Sequence, residues 1–106
     1  MGIEIREQVA GEAAETAQMG ITIHAEEIPT GSEKMWELLN RAYGAVAVFI
    51  RGNTSASYFP NIEAGWNFSY MIEDAMPAPE ITDRSMETRE TYEEKVEFLG
   101  YGMRGR

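Results

Sequence analysis

The chain contains no cysteine. That excludes a disulfide framework, a thiolate zinc site, an iron–sulfur cluster and a cysteine nucleophile. It contains one histidine, His24, so any serine triad would have to run through that residue. Cations are scarce, with 9 Lys and Arg against 18 Asp and Glu, for a net charge of -9. They are also scattered: Arg6, Lys34, Arg41, Arg51, Arg84, Arg89, Lys95, Arg104 and Arg106. A surface of this sign repels nucleic-acid phosphates and anionic membranes, and it attracts basic protein surfaces. The last include the nucleic-acid grooves of other proteins. The longest apolar run, Ala45–Ile50, falls far short of the ~20 residues that span a bilayer. The first residues carry Glu4 and Glu7 where a signal peptide needs positive charge and an apolar stretch. No P-loop, GxGxxG, HExxH or EF-hand pattern is present. These absences predict a cytoplasmic, non-membrane protein without cofactor or metal, which does not bind nucleic acid directly.

What is present suits a packed core. Of 106 residues, 43% are hydrophobic and 25% charged, which is average for one globular domain. Val9, Ala13 and Ala17 mark a helix over 6–18, and Ile3 and Ile5 offer a competing short strand. Ile21, Ile23 and Ala25 alternate with Thr22, His24 and Glu26, which predicts a half-buried strand over 20–28. Thr30 and Glu33 match a capping box. Met35, Leu38, Leu39, Ala42 and Tyr43 then recur at helical spacing, and Gly44 closes the helix.

Residues 45–51 are apolar on both faces and read as a central strand. Gly52-Asn53 is a turn, and residues 54–59 are an edge strand or loop. Trp66, Phe68, Tyr70 and Ile72 alternate over 65–73, which favours a strand pairing with 45–51. A helix from Ile62 is the alternative. Residues 76–82 form a proline-containing linker. Tyr92, Val96 and Leu99 mark a helix over 83–99, capped by Asp83 or Ser85, with a glycine-rich tail at 100–106. The class is α+β, an antiparallel sheet of three or four strands with about three helices, in the order α-β-α-β-(β)-β-α. A small α/β, Rossmann-like sheet with 62–75 helical is the alternative. The expected core is Ile21, Ile23, Leu38, Leu39, Val46, Val48, Ile50, Trp66, Phe68 and Ile72.

Few residues suggest chemistry. His24 and Glu26 share a strand face but lack further ligands at a recognisable spacing. The adjacent acids Glu26-Glu27, Glu73-Asp74 and Glu93-Glu94 lack the defined separation of a catalytic pair. Ile50-Arg51-Gly52, followed by Pro60-Asn61-Ile62-Glu63-Ala64-Gly65-Trp66, resembles the active-site loop of nucleoside deoxyribosyltransferase-like proteins, with Arg51 where the family has an acidic residue. That resemblance implies Glu63 as a nucleophile at an N-glycosidic bond.

The strongest compositional signal lies between Glu73 and Glu97. Nine carboxylates stand there against Arg84, Arg89 and Lys95. Glu87, Glu90, Glu94 and Glu97 would form one helical stripe, with Glu93 and Asp83 beside it. In type, a small acidic cysteine-free domain resembles the inhibitors and assembly factors of phages and mobile elements. The expected function is therefore a non-catalytic, nucleic-acid-mimicking inhibitor that docks this surface on a basic partner, with Tyr58, Phe59 and Asn61 as a secondary contact. A virion or assembly subunit, including a homo-oligomer, is the alternative within that class. The glycosidic-bond enzyme is the alternative outside it.

Overall fold

In the computed structural model, which describes residues 18–75 and 79–104, the first alternating stretch forms strand β1 (Met19–Glu26). Ile21, Ile23 and Ala25 are buried, as their period predicts. The helix expected over 6–18, apart from Gln18 at its end, and its competing strand fall on residues 1–17, outside the described residues.

Helix α1 (Glu33–Ala42) starts at Ser32 rather than at Thr30, and Ser32 makes no side-chain capping bond. The Glu33 carboxylate instead accepts from the Gly31 N–H at 3.0 Å. Gly44, at φ +118°, follows the helix and donates to the Arg41 carbonyl. The helix is rotated from the expected seam. Trp36 and Asn40 face inward, while Met35 and Leu38 are 72% and 56% exposed. Asn40 can enter the core because its amide donates to the Trp36 carbonyl one turn back, at 2.7 Å.

Strands β2 (Ala47–Arg51) and β3 (Thr54–Phe59) form a hairpin over Gly52-Asn53. Gly52 supplies the positive φ, +64°, that a type II′ turn needs at its first central position. In a two-residue loop, Arg51 and Thr54 are the closing hydrogen-bonded pair. Ala47, Phe49 and Arg51 therefore turn their backbone groups toward β3, and Val48 and Ile50 turn theirs away. The Val46 N–H, bonded to the Tyr58 carbonyl at 2.9 Å, extends this contact at the far end.

Helix α2 (Ile62–Ala75), strand β4 (Glu80–Thr88) and helix α3 (Arg89–Arg104) complete the described chain. The sheet order is β2-β3-β1-β4, with every pairing antiparallel. The first six elements form the split βαβ, or ferredoxin-like, arrangement, and α3 is an addition to it. The fold is thus α+β, in the order β-α-β-β-α-β-α.

Several expectations are corrected. Residues 65–73 are helix, so residues 45–51 pair with β3 instead, and β2 is a half-exposed edge rather than a central strand. Residues 80–82 of the expected linker and 83–88 of the expected helix are strand. The backbone of α3 runs through the start of the expected glycine tail. A Rossmann-like sheet is excluded by the antiparallel pairings, although its helical 62–75 is present.

Helices α1 and α2 cover one face of the sheet. There Phe68 lies 5.4 to 5.6 Å, centroid to centroid, from Phe59, Tyr43 and Trp36. Gly65 lets α2 settle onto Ile21 and Phe59, since a Cβ there would lie 3.2 Å from Phe59 Cβ and still closer to Ile21. Leu39, Val48, Ile50 and Trp66 pack partly against this core. Leu38 and Val46 are exposed instead, while Trp36, Ile28, Phe59 and Ile81 are buried. On the opposite face Tyr92 of α3 packs on Ala56 and Tyr58.

Candidate functional site

Strand β4 runs directly into α3, and that junction decides where the carboxylates point. Thr88 caps the helix, its hydroxyl accepting from the Thr91 N–H at 3.2 Å. Glu87 therefore belongs to the strand and leaves the expected stripe. Its side chain is only 11% exposed and accepts from Lys95 Nζ at 2.9 Å and from the Thr22 hydroxyl. Glu90, Glu94 and Glu97 remain, at i, i+4 and i+7 on the exposed face of α3. Glu93 is exposed too, but it pairs with Arg89 at 3.0 Å.

The cations of this region whose side chains are described all serve other carboxylates. Arg89 is on Glu93, Lys95 is on Glu87, and Arg84 lies 2.8 Å from Glu73. Arg84 is further held by Ser69 Oγ at 2.6 Å and lies over the Trp66 and Tyr70 rings, 5.0 and 4.8 Å from their centroids. The aromatic row is thereby split: Trp66 and Tyr70 clamp this guanidinium, and Phe68 enters the core. Among the described side chains no cation reaches ion-pair distance of Glu90, Glu94 or Glu97. Three adjacent carboxylates on a helix face thus stand uncompensated among the described side chains.

Beneath α3 runs a polar seam. Tyr92 donates its hydroxyl to the Ala56 carbonyl at 2.7 Å, and burial pushes its pKa up to about 12. Tyr58 donates to the Glu87 carbonyl at 3.2 Å, and burial, then the Glu87 charge, raises its pKa above 10.0. His24 is half-buried and lies opposite Asp83 in the sheet register. Burial and then the Lys95 ammonium hold its pKa below 6.5, against the upward pull of Asp83 and Glu87. Asp83 is exposed, accepts from the Ser85 hydroxyl, and is held below the usual carboxylate range mainly by that bond. Among the described residues no three His, Asp or Glu are grouped to hold a metal ion.

The secondary contact is corrected in part. Tyr58 and Phe59 are 2% and 0% exposed, because residues 54–59 are an inner strand rather than a loop. Asn61 is exposed and caps α2, its side-chain oxygen accepting from the Ala64 N–H at 2.9 Å. Glu63 is exposed in the first turn of that helix, where the dipole favours its charge. Arg51-Gly52 and Glu63 stand at opposite ends of β3, so the two halves of the glycosidase-like motif are not brought together.

Sequence reasoning missed the seam. Thr22 comes from β1, Tyr58 from β3, Glu87 from β4 and both Tyr92 and Lys95 from α3, and Lys95 meets Glu87 across a strand-to-helix junction that no periodicity marks. No family model matches the chain, and no curated protein or solved structure matches it either. No helix among the described residues is long and apolar enough to cross a membrane.

Proposed function

We propose that the protein is a non-catalytic interaction protein that docks the Glu90–Glu94–Glu97 face of α3 on a basic protein surface. In its finer form the target is a groove that otherwise holds nucleic acid, and the bound protein inhibits by occupying it. The reading rests on one observation: among the described side chains, the cations nearest this face, Arg84, Arg89 and Lys95, are each committed to another carboxylate, so its charge is left for an external partner. A merely solvated helix interleaves cations with its acids at i, i+4. Here only Arg89–Glu93 does so. The firm footing of α3, through Tyr92 and Lys95, would keep the carboxylates in fixed relation.

Affinity capture from the native source tests this reading. The wild-type chain should retain a basic, nucleic-acid-binding protein, and added DNA or RNA should release it. A Glu94→Lys/Glu97→Lys bait should lose that protein. Equal capture by both baits would overturn the reading.

A further inference from the structure

The two edges of the sheet are unlike. β4 carries Glu80, Asp83, Arg84 and Glu87, and its pairing with β1 is broken by an irregularity at His24/Ala25. Charges and bulges of this kind keep an edge from pairing with another chain. β2 carries a single charge, Arg51, beside the turn. From Ala47 to Ile50 it is uncharged and without proline, and among the described residues β3 is its only neighbour in the sheet. Its outward backbone groups are the N–H and C=O of Val48 and Ile50, while the Val46 carbonyl is already taken by Arg41 at 3.2 Å.

Unpaired among the described residues, these groups are complementary to themselves. An antiparallel copy centred on Phe49 sets Val48 opposite Ile50 of the second copy, and each such pair exchanges both N–H···O bonds. Every outward donor and acceptor of the two strands is then used. Phe49 meets its own copy at the close, non-hydrogen-bonded position on the axis. Its side chain is half-buried and belongs to neither cluster of buried residues, so an aromatic partner across the axis would complete its packing.

Charge does not oppose the contact. The flank of α1 beside this edge carries Glu33 and Glu37 against Lys34 and Arg41 and is locally neutral, despite the net -9 of the chain. We infer that β2 is a self-pairing edge, through which two copies of this chain form a two-fold dimer with a continuous eight-stranded sheet. The assembly closes at two because the β4 edge is blocked.

The absence of cysteine makes a direct test available. In the full chain, Phe49→Cys places two thiols beside the axis. Mild oxidation should convert it efficiently to a disulfide-linked dimer, whereas Glu94→Cys, on the far helix, should cross-link only slowly. By light scattering coupled to gel filtration, the wild type should approach twice its 11.9 kDa as concentration rises. Val48→Pro removes an outward N–H and no β3 bond. It should weaken dimerisation about tenfold or more, through two symmetry-related bonds, with circular dichroism unchanged. A wild type that stays at 11.9 kDa at high concentration, or Phe49→Cys cross-linking no faster than Glu94→Cys, would overturn the inference.

Discussion

Replacing Tyr92 measures how firmly α3 is held on the sheet. The tyrosine is 3% exposed, its ring centroid lies 5.4 Å from that of Tyr58, and its hydroxyl donates to the Ala56 carbonyl at 2.7 Å. Tyr92→Phe deletes only the hydrogen bond. The Ala56 carbonyl also serves its ladder partner Phe49, so no acceptor is orphaned and the cost should be about 1 kcal/mol. Tyr92→Ala deletes the ring as well and leaves a cavity beside Ala56 and Tyr58, which should cost roughly 3–5 kcal/mol. In a domain of this size 1 kcal/mol lowers Tm by about 4–8 °C.

Urea unfolding, followed by circular dichroism and by the fluorescence of Trp36 and Trp66, separates the two variants. The tryptophans lie on the α1–α2 side of the sheet, so coincident transitions would show α3 unfolding with the rest. The alkaline limb is a second readout. With the folded pKa at about 12 and the unfolded one near 10.0, the Tyr92 contribution is complete below pH 10 and fades between pH 10 and 12. A Tyr92→Ala protein within about 0.5 kcal/mol of wild type would refute the placement of this helix, since that is the range of surface substitutions.

Other perturbations probe the rest of the structure. His24 has its folded pKa below 6.5, so the unfolded chain binds the extra proton first; stability should fall as pH drops from 6.5 toward the folded value, and His24→Gln should flatten that slope in pH-dependent denaturant titrations. Asp83 has a depressed pKa, so its contribution should be complete above 3.8 and lost below it, and Asp83→Asn should remove that acid limb. Gly65→Ala should destabilise by about 1–3 kcal/mol in the same titrations, because its methyl would press α2 off Ile21 and Phe59.

How far the chain can be read without its structure varies by element. β1 is legible because one of its faces is wholly apolar and its period is strict. The residues of α1 are legible but its orientation is not, since Asn40 ties its side-chain NH2 to the Trp36 carbonyl one turn back and takes a core position that composition assigns to Leu38. In α2, aromatics at every second position serve two different surfaces. Trp66 and Tyr70 are i, i+4 partners over Arg84, Phe68 and Ile72 are i, i+4 partners in the core, and the two rows together imitate a strand. β4 hides because an edge strand can be mostly polar; only Ile81 and Met86 are apolar in it. The helix read from the sequence therefore starts six residues too early, and it sets on its exposed stripe a Glu87 that β4 in fact turns inward. The Glu90, Glu94 and Glu97 face survives because those spacings depend on the helix alone.

The central claim is that this face binds through its charge. The most direct measurement is the association rate with the captured partner as a function of ionic strength, for the wild type and for Glu94→Lys/Glu97→Lys. This double reversal leaves Glu90 in the first turn, where the helix dipole favours it, and sets lysines at i+4 from Glu90 and Glu93, so the fold should stay within about 0.5 kcal/mol of wild type. Exposed charges are screened beyond about 8 Å at physiological salt. The wild-type on-rate should therefore fall steeply as salt rises, and the reversed variant should start low and vary little. An on-rate indifferent to salt, or one unchanged by the reversal in a folded protein, would contradict the claim.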